Sequence, residues 1–280
     1  MFKNILVPTD GSEKCAYAVQ NAIEIAKKYD ATLTGLHVID LKLLEGPLLR
    51  DISASLGMEP FGNYQAGIKD VLEEKSKTAL DMFENACEDE GVKHKTESAT
   101  GLLGKTISEH CALADLTVMG RRGENAEWAG EAMLGSTVET VVRKADRPVW
   151  VTSSELTGLK RILMPFDGSQ QACHALATAA NMAREWNIPL ELVSFFSPND
   201  EDGSLAISKG KEYLEAQEVE FEAHLIDGDP DTEIPSYAES CGADLIVMGA
   251  YGHSRVRSLV LGSTTARVIR AVKCPVLLNR

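Results

Sequence analysis

Positive charge is in short supply: 28 lysines and arginines face 42 aspartates and glutamates, a formal charge of −14 over 280 residues. Polyanion binding is driven by basic surface that displaces counterions, so this balance argues against a nucleic-acid partner, and any anion must be held locally. No apolar run approaches the roughly 20 residues that a helix needs to cross a bilayer. Met1-Phe2-Lys3-Asn4 enters a strand-like stretch directly, so neither a signal peptide nor a membrane anchor is expected. The six cysteines (Cys15, Cys87, Cys111, Cys173, Cys241, Cys274) form no Cys-x-x-Cys pair and no zinc-spaced cluster with histidine. They are expected as buried free thiols of a reducing cytoplasm.

Several catalytic and cofactor signatures are missing too. No Gly-x-Gly-x-x-Gly follows a first strand, which removes the dinucleotide fingerprint. Neither a Gly-x-Ser-x-Gly elbow nor a His-Glu-x-x-His helix occurs. Gly101-Leu102-Leu103-Gly104-Lys105-Thr106 resembles the end of a P-loop, but Ala99 stands where that motif needs its first glycine. It reads as a strand-to-helix turn.

What is present is a repeat. Lys3-Asn4-Ile5-Leu6-Val7-Pro8-Thr9-Asp10-Gly11-Ser12 returns 157 residues later as Lys160-Arg161-Ile162-Leu163-Met164-Pro165-Phe166-Asp167-Gly168-Ser169. Ala114-Asp115-Leu116-Thr117-Val118-Met119-Gly120 returns as Ala243-Asp244-Leu245-Ile246-Val247-Met248-Gly249, and Leu134-Gly135-Ser136-Thr137 as Leu261-Gly262-Ser263-Thr264. Three blocks in one order mark two copies of one unit, at 1–154 and 155–280. The offset falls to 129 at the second block, so the first copy carries 28 extra residues, placed mostly around 40–70 as a long loop or broken helix. Polar Ser153–Gly158 reads as the linker.

Within each copy, short apolar runs (2–7, 32–39, 92–98, 115–119, 148–152; then 161–166, 190–196, 219–226, 244–248, 275–279) alternate with helical patterns such as Leu72, Leu80, Phe83 and Cys87. That alternation implies an α/β fold: two tandem, doubly wound, five-stranded parallel-sheet domains, each with its ligand beyond the carboxyl ends of the strands. The apolar last strands, 148–152 and 275–279, would expose unpaired edges if left alone, so the halves are expected to dock through them as an intramolecular pseudo-dimer. A further homodimer is left open.

The fourth strand of the second copy ends in Gly249-Ala250-Tyr251-Gly252, and nine residues later Gly262-Ser263 opens a helix running to about Ala271. This layout suits a phosphate. Glycines let backbone N–H groups approach an anion, Ser263, Thr264 and Thr265 offer hydroxyls, and the helix N-terminus adds its dipole. His253, Arg255 and Arg257 make the loop basic. The same glycines would also serve a plain tight turn, and Asp167 is either a ligand acceptor or an ordinary helix cap.

Together, the Gly-x2-Gly-x9-Gly-Ser spacing, Pro165-Phe166-Asp167-Gly168-Ser169 and Ala243–Gly249 resemble the universal stress protein family, and the resemblance covers both halves. It implies a Rossmann-like fold of the adenine nucleotide alpha hydrolase type. It also implies ATP, or ADP or AMP, with or without Mg, in a cytoplasmic stress-response protein acting as a nucleotide-dependent sensor. The phosphates would lie over Gly249, Gly252, Gly262, Ser263 and Thr264, with Thr265, Met248, His253 and Arg255 alongside. Adenine and ribose would lie near Pro165, Asp167 and the Phe195 backbone. Phe166 and Phe195 stand where the first copy has Thr9 and Val38, and would either stack on the base or crowd it. The alternative is a slow ATPase or autophosphorylating protein with Ser263, Thr264 or Thr265 as acceptor.

The first copy departs from the pattern. Its weaker site would comprise Pro8, Thr9, Asp10, Val38, Gly120, Gly123, Gly135, Ser136 and Thr137, but eleven residues separate Gly123 from Gly135. Residues 121–134 carry a net −1, against +2 for 250–261. Ser136 and Glu139 are spaced as a capping box, which would occupy the N–H groups that a phosphate needs. Tight binding is therefore expected in the second copy.

Overall fold

Parallel strands covered by helices on both faces read as near-continuous apolar runs, and the expected runs inside the sheet become strands for that reason. The computed structural model describes residues 1–45, 64–123, 134–152, 154–196, 202–250 and 262–280. The first half runs β1 (Asn4–Pro8), α1 (Glu13–Tyr29), β2 (Thr32–Asp40), α2 (Leu41–Glu45), α3 (Tyr64–Asp89), β3 (His94–Gly101), α4 (Leu103–Cys111), β4 (Leu116–Gly120), α5 (Ser136–Lys144) and β5 (Val149–Thr152). The second runs β6 (Ile162–Pro165), α6 (Gln170–Trp186), β7 (Leu190–Phe196), α7 (Asp202–Ala216), β8 (Phe221–Asp227), α8 (Pro230–Cys241), β9 (Leu245–Gly249), α9 (Ser263–Ala271) and β10 (Val276–Asn279). The extra segment expected at 40–70 falls largely on 46–63, outside the described residues. Its described flank α3 has 26 residues, whereas α7 in the same place of the second half has 15.

All ten strands join one sheet in the order β3-β2-β1-β4-β5-β10-β9-β6-β7-β8. Pairing is parallel within each half and antiparallel where β5 meets β10, with Val151 opposite Val276, Trp150 opposite Leu277 and Val149 opposite Leu278. Trp150 and Leu277 hold equivalent places in the repeat, so this register is symmetric about them. Tyr29 and Trp186 are also equivalent, and they too meet each other: the Trp186 Nε1–H donates to the Tyr29 hydroxyl at 3.1 Å. Two self-matched pairs define a local twofold between the halves.

One apolar core lies between the sheet and α1, α3, α6 and α7, and another beneath α4, α5, α8 and α9. Each runs through both halves: Ile5 and Ile162 share the first, Leu6 and Leu163 the second. Trp150 is fully buried at the seam and donates its Nε1–H to Asn21 Oδ1 at 3.0 Å.

The segment expected as the linker is polar in composition and anchored: Leu156, and Leu159 just beyond it, bury their side chains in the first core. Ser154 accepts the Asn21 Nδ2–H at 2.9 Å and donates to the Lys273 carbonyl at 2.9 Å. One expectation needs correction, since not all the cysteines are buried. Cys15, Cys87 and Cys111 are, but Cys173 is exposed and Cys241 and Cys274 are partly exposed, because they sit on helix ends and a loop rather than on inward faces. Burial pushes the Cys15 and Cys87 thiols up to about 12.

Candidate functional site

In each half the strand order reverses between the first and fourth strands, and ligands of doubly wound sheets sit in the crevice at that reversal. The β6–β9 ladder pairs Ile162 with Leu245 and Leu163 with Ile246, leaving the carboxyl ends of these strands to part. A cleft of about 280 Å³ opens there, near the lower end of the usual ligand-pocket range. Its walls are Pro165, Phe166 and Asp167 from the end of β6, Phe195 from β7, Met248 and Gly249 from β9, and Gly262, Ser263, Thr264 and Thr265 from the start of α9. Every described residue expected at the second-half site is therefore brought to one place. Gly252, His253 and Arg255 lie outside the described residues, as does Arg257.

Four further walls were not anticipated: Ser169 and Ala172 at the start of α6, and Pro230 and Ile234 on the first two turns of α8. Their signal was positional. Helices that follow strands of a parallel sheet begin at the same mouth, and Pro230 and Ile234 are four apart on one helical face.

The start of α9 supplies donors. Gly262 is its N-cap, no side chain caps it, and the first intrahelical bond runs from Ala266 N–H to the Gly262 carbonyl at 2.9 Å. The preceding N–H groups have no intrahelical acceptor, and no acidic residue sits in the first turn to offset the dipole. Such an end accepts an anion directly. Among the described residues a Cβ on Gly262 would meet nothing nearer than Thr265 Oγ1 at 3.7 Å, so their packing does not account for a glycine here. Gly249 is different. A Cβ there would fall 2.7 Å from the Ala172 nitrogen and 2.8 Å from the Gln171 carbonyl carbon, so this glycine lets α6 lie on β9.

Asp167 is not the helix cap. That role belongs to Ser169, whose Oγ accepts from Ala172 N–H, while Asp167 Oδ1 accepts the Ser169 N–H at 2.9 Å and its residue stays exposed at the rim. Of the two phenylalanines, Phe166 turns its ring into the core against Gly210 and Leu192 and is 4% exposed. Its backbone is fixed by the Ser194 hydroxyl, which donates to the Phe166 carbonyl at 2.7 Å. Phe195, half-buried, is the aromatic side chain left to meet a ligand.

The first-half positions adopt a different arrangement. Pro8, Thr9, Val38 and Gly120 are buried at the corresponding strand ends, and a Cβ on Gly120 would fall 2.9 Å from the Lys14 carbonyl oxygen. A Cβ on Gly123 would fall 2.6 Å from Asp10 Oδ2, so the loop after β4 folds onto the aspartate. Gly135 gives its N–H to the Arg121 carbonyl at 3.3 Å. The expected capping box does not form. Gly135 takes the N-cap position, which puts Ser136 and Thr137 inside α5 as its first residues and Glu139 one place too far along to reach back. Glu139 still acts on the helix, as an acidic residue in its first turn where α9 has none. Arg121 is not at the mouth either. Its guanidinium donates to the carbonyls of Ile269, Arg270 and Val272 at 3.0, 3.1 and 3.3 Å, at the far end of α9.

Two groups of potential metal ligands occur away from the cleft, Glu84/Glu88/His94 and Glu191/Glu222/His224. Glu191 is already held by Arg161, by His224 at 3.3 Å and by the Tyr237 hydroxyl at 3.3 Å. Among the described residues no helix is long and apolar enough to cross a membrane.

Comparison with known proteins agrees with this architecture. The model of the universal stress protein family matches residues 1–153 and again 158–280. A universal stress protein of a Synechocystis species is 29% identical over 290 residues, covering 99% of this chain and 100% of its own. One from Methanocaldococcus jannaschii is 33% identical over 153 residues, 54% of this chain and 82% of its own. The crystal structure of a universal stress protein from Archaeoglobus fulgidus shares the fold, with a TM-score of 0.78 at 23% identity over 99% of this chain and 96% of that one. With the family matched once in each half, over nearly the whole length, the chain belongs to the universal stress protein family.

Proposed function

We propose that the second half binds an adenine nucleotide, ATP or its di- or monophosphate, and that occupancy of this cleft is the signal the protein reports as a cytoplasmic stress-response sensor. The observation that carries the reading is the start of α9 at the strand-order reversal, where N–H groups with no intrahelical acceptor and three consecutive hydroxyl side chains meet a cleft with largely apolar walls. The phosphates belong over Gly249, Gly262, Ser263 and Thr264, with Gly252, His253 and Arg255 of the adjoining segment alongside. The base belongs against Phe195, Ile234 and Met248, and the ribose by Asp167. The first half, with its loop on Asp10 and Glu139 in the first turn of α5, is the weaker or ligand-free member of an intramolecular pseudo-dimer. We take its two units as 1–154 and 155–280.

The test has two steps. Mass spectrometry of small molecules released from purified, denatured protein is expected to find an adenine nucleotide at no more than about one per chain. Equilibrium titration of the emptied protein is expected to show saturable binding of ATP, ADP or AMP. Protein that releases none and binds none refutes the reading.

A further inference from the structure

Near the edge of the sheet, the face of the second half beneath α8 carries a buried carboxylate that the cleft does not use. Glu191 of β7 is 4% exposed, and an ionised carboxylate taken from water needs a cation and hydrogen bonds to hold it there. Arg161 holds its Oε1, and the Tyr237 hydroxyl of α8 donates to its Oε2 at 3.3 Å. Each carboxylate oxygen accepts at two positions, so these ties fix the group and leave Oε2 a lone pair for a further partner. The parallel ladder sets Glu222 of β8 directly opposite Glu191, and His224, two residues on, shares that face. The His224 Nε2 lies 3.3 Å from Glu191 Oε2 and 3.6 Å from Glu222 Oε2, and the three atoms fall within 4.8 Å of one another.

Like charges directly opposite across a ladder are destabilising, and the repeat shows how the first half avoids them. In matching register Glu191, Glu222 and His224 correspond to Thr34, Lys95 and Glu97, where the Lys95 ammonium pairs with Glu97 at 2.8 Å. The second half puts two carboxylates and an imidazole at these positions, with Arg161 as the fixed cation among the described residues. The group is one positive charge short, and its spacing says what supplies it. Two ligands of a tetrahedral zinc ion, each about 2.0–2.2 Å from the metal, lie about 3.3–3.6 Å apart. The separations about the His224 Nε2 match that span, and imidazole nitrogen with carboxylate oxygen suits zinc and its neighbours in the first transition row better than magnesium or calcium. We infer that Glu191, Glu222 and His224 bind one divalent transition-metal ion of the zinc type, with water completing its shell, and that the ion ties the edge strand β8 to β7. Arg161 and Tyr237 do not touch the ion; they orient the Glu191 carboxylate. The site lies toward the amino ends of the strands, away from the cleft, and does not depend on the nucleotide reading.

The experiment uses the full-length protein, stripped of metal and nucleotide, in calorimetric titration with zinc chloride and in thermal melting with and without zinc. Wild type is expected to bind about one zinc at this site and to melt higher in its presence, because the ion binds the folded state. His224→Ala and Glu222→Gln alter side chains open to solvent, so their metal-free melting is expected to stay within about 2 °C of wild type. Each is expected to weaken zinc binding by about tenfold or more, since even outer-shell partners of a metal are worth 10–100-fold. His94→Ala, in the Glu84/Glu88/His94 group, is expected to keep wild-type affinity. Cobalt(II) in place of zinc is expected to show no thiolate-to-metal absorption. A wild type with no saturable zinc binding overturns the inference, as does unchanged affinity in His224→Ala. A loss in His94→Ala as large as in His224→Ala, or a thiolate band with cobalt, also overturns it, because the ion would then sit on other ligands.

Discussion

The two halves have the same five-strand order and similar cores, and at the mouth of the sheet a few atoms set them apart. In the second half, α9 starts at Gly262, where a Cβ would fit among the described residues, with Ala266 where the first half has Glu139. In the first, α5 starts at a Gly135 whose N–H is already given to Arg121, and Gly123 lies on Asp10. The scaffold residues cannot vary without loss, because Gly120 and Gly249 each let a helix lie on a strand. The mouth residues can, because Gly262 and Gly135 each begin a helix where a side chain would fit.

The seam should be the most sensitive place to test what the halves share. Trp150→Ala is expected to cost about 3–5 kcal/mol, the usual loss for a large buried aromatic, and it also strips Asn21 of a donor. Leu277→Ala, its counterpart, should cost less, about 2–4 kcal/mol. Urea unfolding should remain a single transition in both variants. Two transitions would break the claim that each core runs through both halves.

Next in size is the difference at the mouth. Gly262→Glu places a carboxylate against the proposed anion and should lower ATP affinity about a hundredfold, since like charges at close quarters cost several kcal/mol. Gly135→Glu should leave that affinity unchanged. Equal losses in the two variants would make the halves equivalent as binders. A smaller effect is expected from Arg121→Ala, which removes a cation and its donors from the carboxyl end of α9. The expected loss is about 1–2 kcal/mol in thermal or chemical unfolding. Arg280→Ala should do least, about 0.5 kcal/mol. It donates to the Lys144 carbonyl at 3.4 Å and to an exposed Asp146, a longer and wetter version of the same arrangement at the end of α5. If Arg280→Ala were the costlier change, the assignment of Arg121 as the stronger tie would be wrong.

Much of this was legible in the sequence, for identifiable reasons. The eight inner strands were legible because strands buried on both faces are continuous apolar runs, whereas the edge strands β3 and β8, polar and largely exposed, were placed by their position in the alternation of strands and helices. The cleft was legible because Gly249 and Asp167 fall at strand ends and Gly262 and the hydroxyl run at a helix start. The direction of the Phe166 ring could also have been read, since it shares strand parity with Ile162 and Met164, which face the first core. The capping box failed by one residue: glycine took the cap and pushed Ser136 into the helix. The burial of Leu156 within the linker was not legible, because one leucine among polar neighbours carries no periodic signal. Arg121 was counted as loop charge because nothing local reveals an acceptor 148 residues away.

The antiparallel pairing of β5 with β10 has a consequence for how the molecule behaves on dilution. A separate five-stranded unit would cover its last strand only by meeting a second molecule, and would lose that cover as concentration fell. Here the complementary strand travels on the same polypeptide, at an effective concentration that solvent cannot reduce. The assembly state of the seam is therefore fixed at synthesis, and the melting temperature should not depend on how much protein is present. Either copy can then accumulate changes at its mouth without meeting an unmatched partner.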